Sequence, residues 1–387
     1  MKGYFILILA SVLILYSNTA YTVDNGNPVL VGVTGSMEGK YKEPSQMALE
    51  AFKYWQEEVN SRGGLLGREV KFIIYDDKSD KELTKKLYTK LIEEDKVDLV
   101  FSPTSTPLTI SASDVSEKNK KLMLAIATSS GQPWQKNTRY LFQLYAPANR
   151  QFIGLLDIMA QKRLKSLALI YNDQSGYTLD MVKGIQKWAK TYKIDIVLEK
   201  AYQDSKRDLP KILKEIERTN AQGLINSSYS PDSYELLRLL GNSQYRPTIL
   251  ALPIAPVHPN FQKTVGAIAD HVFAPSQWEP DERIPFPGTA KFIEGFKNFA
   301  GHMPSYHAAS AYSACQLYEQ AINKTQTIDN TILRDYVAAL DTVTVLGRFK
   351  VNPTGMQVGH NSFIIQWQNG KKEIVWPQRR RTAKPVF

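Results

Sequence analysis

The chain has 387 residues, of which 43% are hydrophobic and 22% charged, so it is long enough for two globular domains that bury a sizeable core. Its 48 basic and 38 acidic residues give a net charge of +10, but the basic residues are dispersed, which argues against a nucleic-acid-binding face. A single cysteine, Cys315, excludes an intrachain disulfide, and the five histidines lack the spacing of a metal site. We therefore expect no metal and no cofactor.

Residues 1–20 have the pattern of a secretory signal peptide. Lys2 supplies the positive charge, residues 4–16 form an apolar run, and residues 17–20 (SNTA) offer a small residue at the cleavage point. The run is shorter than the roughly 20 residues of a membrane-spanning helix, so we expect no transmembrane segment in the mature chain. An uncleaved anchor is the alternative, because Asn18 makes the cleavage site poor. Export predicts a periplasmic protein, and since ATP and NAD are scarce there, it favours a binding protein over a cofactor enzyme.

After this segment, short apolar runs alternate with segments of helical periodicity. The continuous apolar runs predict strands that are buried on both faces of a parallel sheet. A capping box at residues 79–82 (SDKE) marks the start of one helix. The predicted strands are residues 29–33, 70–75, 99–101 and 122–127, and the predicted helices are residues 44–60, a segment after 82, and 111–119.

The same alternation restarts after Pro147. The predicted helices there are residues 151–162, 179–191, 209–218 and 233–240, and the predicted strands are 167–171, 194–198, 223–226, 248–250 and 272–274. Helices at 286–299, 306–322 and 332–340 follow, and strands at 347–351 and 363–367 close the chain. Two successive sets of such units predict an α/β protein with two doubly wound lobes. The late segments return to lobes begun earlier, which predicts a hinge with several crossings.

Several sequence pieces, taken in order, resemble a known family. They are Thr34-Gly35, residues 60–68 (NSRGGLLGR), 75–77 (YDD), 102–106 (SPTST), 122–130, 304–309 (PSYHAA), 347–349 (GRF) and 352–355 (NPTG). Together they resemble the leucine/isoleucine/valine-binding-protein family of type I periplasmic binding proteins. Members of that family are solute receptors of branched-chain amino-acid ABC importers. The resemblance covers nearly all of residues 28–387.

This resemblance implies a fold of two doubly wound α/β lobes joined by a three-crossing hinge. Lobe 1 would comprise residues 28–145 plus 275–345, and lobe 2 residues 146–274 plus 346–387. The crossings would fall near residues 145–147, 274–276 and 346–348. The implied function is that of a monomeric, non-enzymatic receptor, which closes on a small-molecule ligand and then docks on a membrane permease.

Two loops of the first lobe carry hydroxyl groups where predicted strands end. In a parallel sheet these strand ends lead into helix N-termini, whose free N–H groups suit an anion. By the resemblance, Ser105 and Thr106 lie at the first carboxylate-binding position, and Ala127 and Ser129 lie at the second. The alternative is that these residues merely cap helices.

Two tyrosines of the second lobe match aromatic residues that cover the ligand in the family. They are Tyr177, after the strand at 167–171, and Tyr229, after the strand at 223–226. Flat aromatic side chains provide contact area at a low cost in conformational entropy. A position in the core or on the surface is the alternative for each.

One departure from the family leaves the ligand open. Amino-acid-binding members place a carboxylate after the strand that here ends in residues 252–256 (LPIAP), and this chain has no acid near Ile254. An unpaired ammonium in a closed cleft would be costly. Asp173 or Glu279 could substitute; otherwise the ligand is a carboxylate without an amine, or an amide. An apolar ligand would suit Trp134 and Trp278 if these residues line the cleft.

Two other functions compete with the importer receptor. A sensor of the same fold would present its ligand to a membrane receptor, and the sequence does not separate it from an importer protein. The second competing function is that of an exported nicotinamide-dependent oxidoreductase, because residues 32–39 (GVTGSMEG) superficially resemble a phosphate-binding loop. This loop lacks the GxGxxG spacing, and no GxSxG nucleophile elbow of a serine hydrolase is present.

Overall fold

The computed structural model describes residues 26–281, 283–284 and 286–387, and the predicted signal segment lies outside them. Strands and helices alternate through most of this part of the chain. The strands are β1 (Val29–Gly35), β2 (Val70–Asp76), β3 (Leu99–Phe101), β4 (Met123–Ala125), β5 (Leu141–Gln143), β6 (Ser166–Asn172), β7 (Asp195–Tyr202), β8 (Gly223–Ser227), β9 (Ile249–Ala251), β10 (Val272–Ser276), β11 (Asp341–Thr344), β12 (Gly347–Lys350), β13 (Phe363–Gln368) and β14 (Lys371–Trp376).

The α-helices connect these strands or follow them. They are α1 (Lys42–Ser61), α2 (Lys81–Thr89), α3 (Thr106–Lys118), α4 (Ile153–Gln161), α5 (Gly176–Tyr192), α6 (Ser205–Thr219), α7 (Ser230–Gly241), α8 (Phe261–Val265), α9 (Thr289–Ala300), α10 (Tyr306–Thr325) and α11 (Asn330–Ala339). None of the helices described combines the length and the apolar character that crossing a membrane requires.

Five of the strands form a first, wholly parallel sheet in the order β2-β1-β3-β4-β5. Six of the seven residues of β1 are buried, as expected for a central strand covered on both faces. On one face, α1 buries Phe52, Trp55 and Val59 in a core that it shares with α9 and α10. The Tyr318 hydroxyl of α10 donates to the Val100 carbonyl at 3.0 Å, which ties this helix to the sheet.

Seven strands form a second sheet in the order β14-β13-β10-β9-β8-β6-β7. Its strands β6 to β10 are parallel, whereas β13 and β14 run antiparallel at one edge. Separate hydrophobic clusters cover its two faces, one around Phe152 and Ile185, the other around Leu209 and Leu236. The hairpin of β11 and β12 belongs to neither sheet. Its Leu346 and Phe349 pack in the core of the first sheet.

Three connections between the sheets run side by side, and buried amide and imidazole groups tie them together. Gln277, just after β10, accepts from the Ala146 N–H at 2.9 Å through its side chain, and its carbonyl lies 2.9 Å from His360 Nε2. Gln357 donates through its backbone N–H to the Gln143 side chain at 3.1 Å. Because the β11–β12 hairpin packs with the first sheet, the third connection runs through residues 351–362, later than the 346–348 expected from sequence.

The predicted elements agree in type and order with most of those observed, and the differences concern their ends and short strands. The capping box places the start of α2 well, since the Asp80 carboxylate accepts from the Leu83 N–H at 2.7 Å. The helix expected at 111–119 begins earlier, at Thr106, because Ser105 caps it. The sequence analysis missed β5, β11 and β14, which are three to six residues long and gain their stability from neighbouring strands.

Replacing Gly184 by alanine is expected to destabilise the fold by about 1–3 kcal/mol. Gly184 lies inside α5, where a Cβ would overlap the backbone carbonyl of Asn149 in the first connection between the sheets. Alanine ordinarily favours a helix interior over glycine, so the loss would come from this overlap. The matched control is Gly241→Ala at the end of α7, where the nearest atom is 3.9 Å from the added Cβ. Urea unfolding measures both; a stabilised Gly184→Ala variant would contradict the close packing.

Candidate functional site

A small cavity of about 30 Å³ lies where the carboxyl end of the first sheet faces the second. The residues that line it come from loops at strand ends and from helix N-termini of both halves. They are Tyr41, Pro44, Thr104, Ser105, Thr106, Ala127, Ser129, Tyr145, Gln151, Tyr177, Tyr229, Ile254, Tyr306 and His307. All six residues predicted from sequence (Ser105, Thr106, Ala127, Ser129, Tyr177 and Tyr229) are among them.

The start of α3 forms one end of this cavity. Ser105 is the N-cap residue, with a φ of 122°, and its hydroxyl accepts from the Leu108 N–H at 3.5 Å. A positive φ at a non-glycine residue is strained, and such strain concentrates at functional sites. The next residue, Thr106, is only 1% exposed, and its hydroxyl has no hydrogen-bond partner among the described residues. Burying an unpaired hydroxyl costs roughly 1–3 kcal/mol, so this group would gain from an acceptor in the cavity.

Backbone donors lie beside this hydroxyl. The N–H groups of Ser105, Thr106 and Ser129 make no hydrogen bond within the part of the chain that the structure describes. Those of Ser105 and Thr106 stand at the N-terminus of a 13-residue helix, where the positive end of the helix dipole favours an anion. The Tyr41 hydroxyl is a further buried group without a partner among the described residues. This end of the cavity is therefore rich in unused donors.

Gln151 links the two halves at the cavity floor. Its Nε2 donates to the Ser129 hydroxyl at 2.9 Å, and its Oε1 accepts from the Tyr177 hydroxyl at 3.4 Å. Ser129 also accepts at its carbonyl from the Ala148 N–H at 2.8 Å. The Ser129 hydroxyl still has its own proton to donate into the cavity. Gln151 thus holds a loop of the first half against a helix of the second.

Aromatic rings form most of the remaining wall. The Tyr229 ring lies 5.6 Å from that of Tyr177 and 5.0 Å, edge to face, from that of Tyr41, which belongs to the other half. Tyr145 and Tyr306 make a similar edge-to-face pair at 5.4 Å. Such pairs hold flat surfaces in place with little rotamer freedom to lose on binding. The rings therefore give this wall a flat, largely apolar surface.

The ionisable groups in the wall are neutral at physiological pH. Burial raises the pKa of Tyr41 to about 12 and raises the pKa of Tyr177 and Tyr229 well above the usual value. Burial also lowers the pKa of His307 to about 3, so this imidazole is uncharged, and its Nδ1 lies 2.8 Å from the Tyr145 hydroxyl. The wall consequently offers hydrogen bonds without a formal charge of its own.

The residues considered as substitutes for the missing acid do not line this cavity. Glu279 pairs with Lys372 at 2.8 Å, and Asp173 accepts from the Gln174 side chain. The two tryptophans considered for an apolar ligand lie elsewhere too. The Trp134 indole donates to the Leu141 carbonyl at 2.8 Å, and Trp278 is buried against Phe292. The sequence could not show which side of a loop these side chains occupy.

Sequence reasoning gave no role to several residues of the wall, namely Tyr41, Pro44, Thr104, Tyr145, Gln151, Tyr306 and His307. One of them carried a usable signal, because Tyr41 lies between β1 and α1, the same kind of position as Ser105; Tyr145 follows β5, which the sequence did not reveal. The loop of residues 32–39 is not part of the wall. Its Thr34 and Ser36 hydroxyls both donate to the buried Asp77 carboxylate, at 2.7 and 2.5 Å.

Comparisons with known proteins agree with this architecture. Residues 28–372 match the profile of a family described as periplasmic binding protein. A "Leu/Ile/Val-binding protein homolog 8" of Brucella suis is 23% identical over 408 aligned positions, which cover 99% of this chain and 98% of that protein. Homolog 7 of the same organism is 23% identical over 342 positions, which cover 83% of this chain and 84% of the relative.

Solved structures with a similar fold include two with bound ligands. One is the branched-chain amino acid transporter substrate binding protein LivJ from Streptococcus pneumoniae in complex with isoleucine. It has a TM-score of 0.80 and 18% identity, covering 89% of this chain and 97% of that one. The other is a solute binding protein of an ABC transporter from R. palustris in complex with benzoate. It has a TM-score of 0.78 and 16% identity, covering 93% of this chain and 97% of that one.

Proposed function

This chain belongs to the periplasmic binding protein family, and on that premise we propose that it is the extracytoplasmic solute-binding receptor of an ABC importer. Within that family it belongs to the type I, Leu/Ile/Val-binding-protein group and has the fold of that group, as its sequence predicted. The ligand is a small amino acid, carboxylate or amide, held in the cavity between the two halves. Binding, and not catalysis, is the activity that we propose.

The observation that carries this proposal is the composition of one cavity. Donors without protein partners, such as the Thr106 hydroxyl, stand on the side of the first sheet. Aromatic side chains such as Tyr177 and Tyr229 face them from the second. A solute that occupies this space would contact both halves at once. Three or four hydrogen bonds to a charged group, at roughly 1.5–3 kcal/mol each, suffice for micromolar affinity after ordering costs.

Contacts at the mouth of the cavity support closure as the mechanism. Glu43 of α1 accepts from the Tyr234 hydroxyl at 3.1 Å and lies 3.3 Å from His258 Nδ1, both in the second half. Ser130 donates to Asp180 at 2.6 Å across the same interface. These contacts are few and polar, so they suit a reversible interface. A ligand that bridges both halves would shift the population toward this closed form.

We propose the lobe boundaries given by the sequence, residues 28–145 plus 275–345 and residues 146–274 plus 346–387. The first sheet lies within the first set, and α9 to α11 pack against its core. The second sheet lies within the second set except for the last residues of β10. The packing of the β11–β12 hairpin would move the last boundary toward residue 351.

The partner that we propose is the membrane permease of an importer, which the closed, monomeric receptor would approach in the periplasm after cleavage of residues 1–20. A sensor of the same fold is the second candidate, and it differs only in the membrane partner. The oxidoreductase has less support, because the hydroxyls of its would-be phosphate loop, Thr34 and Ser36, are already bound to Asp77.

A ligand screen followed by small-angle X-ray scattering tests the proposal. The screen follows the melting temperature of the mature protein with amino acids, carboxylates, amides and aromatic acids. A ligand at 100 times its dissociation constant is expected to stabilise the fold by about 2.7 kcal/mol. The same ligand should lower the radius of gyration. A saturating ligand that leaves the scattering curve unchanged would contradict hinge closure.

The importer and the sensor are then distinguished by their membrane partner. An importer receptor loaded with ligand is expected to stimulate ATP hydrolysis by the permease complex encoded beside it. The ligand-free receptor should stimulate it less. Stimulation of a membrane kinase instead would support the sensor.

A further inference from the structure

Among the described residues, no charged side chain lines the cavity. Five tyrosines, one isoleucine, one proline and one alanine provide most of its surface, and hydroxyl, amide and imidazole groups provide the rest. The imidazole of His307 adds no charge, because burial keeps it neutral. The described lining residues therefore include no carboxylate, ammonium or guanidinium group, although the Lys40 ammonium lies 5.0 Å from the centroid of the Tyr41 ring and 5.9 Å from that of Tyr229.

The carboxylates closest to the wall are engaged elsewhere. Burial first, and then the charges of Glu279, Tyr229 and Glu43, raise the pKa of the lining residue Tyr306. Glu279 is 2.8 Å from Lys372, and Glu43 holds the Tyr234 hydroxyl and His258. Asp180 accepts from the Ser130 hydroxyl and the Gly131 N–H. None of these carboxylates is among the residues that line the cavity, although the Glu279 Oε1 is buried without a hydrogen-bond partner among the described residues.

The unused groups of the wall are donors, and they cluster at one end. The Thr106 and Tyr41 hydroxyls are each 1% exposed and lack partners among the described residues. The backbone N–H groups of Ser105 and Thr106 lie at the N-terminus of α3, and they too have no acceptor among the described residues. Together they match the two oxygens of a carboxylate, which accepts several hydrogen bonds.

The part of the wall that the second half contributes is largely apolar. Ile254, which follows β9, lines it and is 8% exposed. The Tyr177 and Tyr229 rings extend this surface. A cationic group placed here would lose its hydration without gaining a counter-ion, which is costly in a closed cleft.

Resting on the proposed function, we propose that the ligand is a small monocarboxylate whose remainder is uncharged, and that the site selects against α-amino acids. The carboxylate would bind at the start of α3, and the apolar remainder would lie against Ile254 and the tyrosine rings. Discrimination would follow from the ammonium group, for which the described lining residues offer hydroxyl oxygens and aromatic rings but no counter-ion.

Matched ligand pairs test this proposal by titration calorimetry on the wild-type protein. The probes are 4-methylpentanoate against leucine and 3-phenylpropanoate against phenylalanine, which differ only in the ammonium group. The pair whose acid binds more tightly decides the test. In that pair we expect the acid to bind at least about 100-fold more tightly than its amino acid, which is a difference of about 2.7 kcal/mol in binding free energy. The uncharged amide 4-methylpentanamide should bind at least about tenfold more weakly than its acid, because it lacks the anionic oxygens.

An Ile254→Asp variant provides the converse test. A carboxylate at this position should weaken binding of the acid and strengthen binding of the amino acid. The ratio of their two dissociation constants should therefore fall by at least about tenfold. Ile254→Asn is the matched control, because it is polar but uncharged and should not improve amino-acid binding. The wild-type pairs decide the question by themselves if the aspartate variant does not fold.

The outcomes separate this inference from the function on which it rests. Amino acids that bind as tightly as their deaminated acids would overturn the inference and leave the receptor function standing. An amide that equals its acid would overturn the carboxylate assignment. The absence of binding by every acid, amino acid and amide would count against the receptor function itself, and the inference would fall with it.

Discussion

The Thr106→Val variant is expected to be more stable than the wild type without ligand and to bind ligand about 10- to 100-fold more weakly. Valine keeps the β-branched shape and a similar helix propensity, so the change removes the hydroxyl alone. In the ligand-free protein that hydroxyl is buried without a partner in the described chain, and its removal should gain about 1 kcal/mol. With a carboxylate bound, the same hydroxyl would donate a hydrogen bond of roughly 1.5–3 kcal/mol.

Opposite signs in stability and affinity would distinguish a binding role for Thr106 from a structural one. Thr109→Val, in the same helix, is the matched control. The Thr109 hydroxyl donates to the Ser105 carbonyl at 2.8 Å and lies 2.7 Å from the Thr128 hydroxyl. Its loss should therefore destabilise the ligand-free protein. Urea unfolding and calorimetry measure both variants. A Thr106→Val variant that is less stable, with unchanged affinity, would remove Thr106 from the site.

Acidification from pH 8 to pH 5 is expected to reduce the free energy of unfolding by about 4 kcal/mol through two buried histidines. Burial lowers the pKa of His307 to about 3 and that of His360 to about 4, whereas an unfolded histidine has a pKa of about 6.5. Below pH 6.5 these histidines are therefore protonated in the unfolded state but remain neutral in the folded state. Stability is fully present above this pH and falls as the pH drops toward 4. At pH 5 the loss is about 2 kcal/mol for each histidine.

The His360→Gln variant isolates one of these contributions at the hinge. Its amide can still donate to the Gln277 carbonyl, which His360 Nε2 contacts at 2.9 Å, but it does not titrate. The difference in unfolding free energy between pH 8 and pH 5 should shrink by about 2 kcal/mol relative to the wild type. Urea unfolding at the two pH values measures it, and each protein serves as its own reference. An unchanged difference would show that His360 does not titrate as proposed.

Local sequence patterns predicted most of the fold and part of the site. Continuous apolar runs identified the parallel strands, because burial on both faces leaves no room for polar alternation. The rule that ligands bind at the carboxyl ends of such strands indicated the loops at 102–106 and 127–130, and the resemblance selected Ser105, Thr106 and Ser129 within them, which the structure brings to one cavity. The resemblance to a family added Ala127, Tyr177 and Tyr229, and these lie in the same wall.

Other expectations failed where they depended on side-chain direction. Trp134 and Trp278 are apolar, as a cleft residue would be, yet both point into cores. Asp173 and Glu279 have the right chemistry for an ammonium, but neither is among the residues that line the cavity. Residue type alone does not reveal which face of a loop a side chain occupies.

The sequence by itself determined the α/β class, the order of the elements and the hydroxyl-rich strand ends of the first sheet. These depend on periodicity, capping and turn chemistry within a few residues of each position. Only the tertiary structure decided that Tyr41, Gln151 and Tyr306 complete the cavity and that none of the described residues lining it carries a charge. Those properties arise from contacts between segments far apart in the chain. They are set by how the two sheets meet, and no local pattern encodes that.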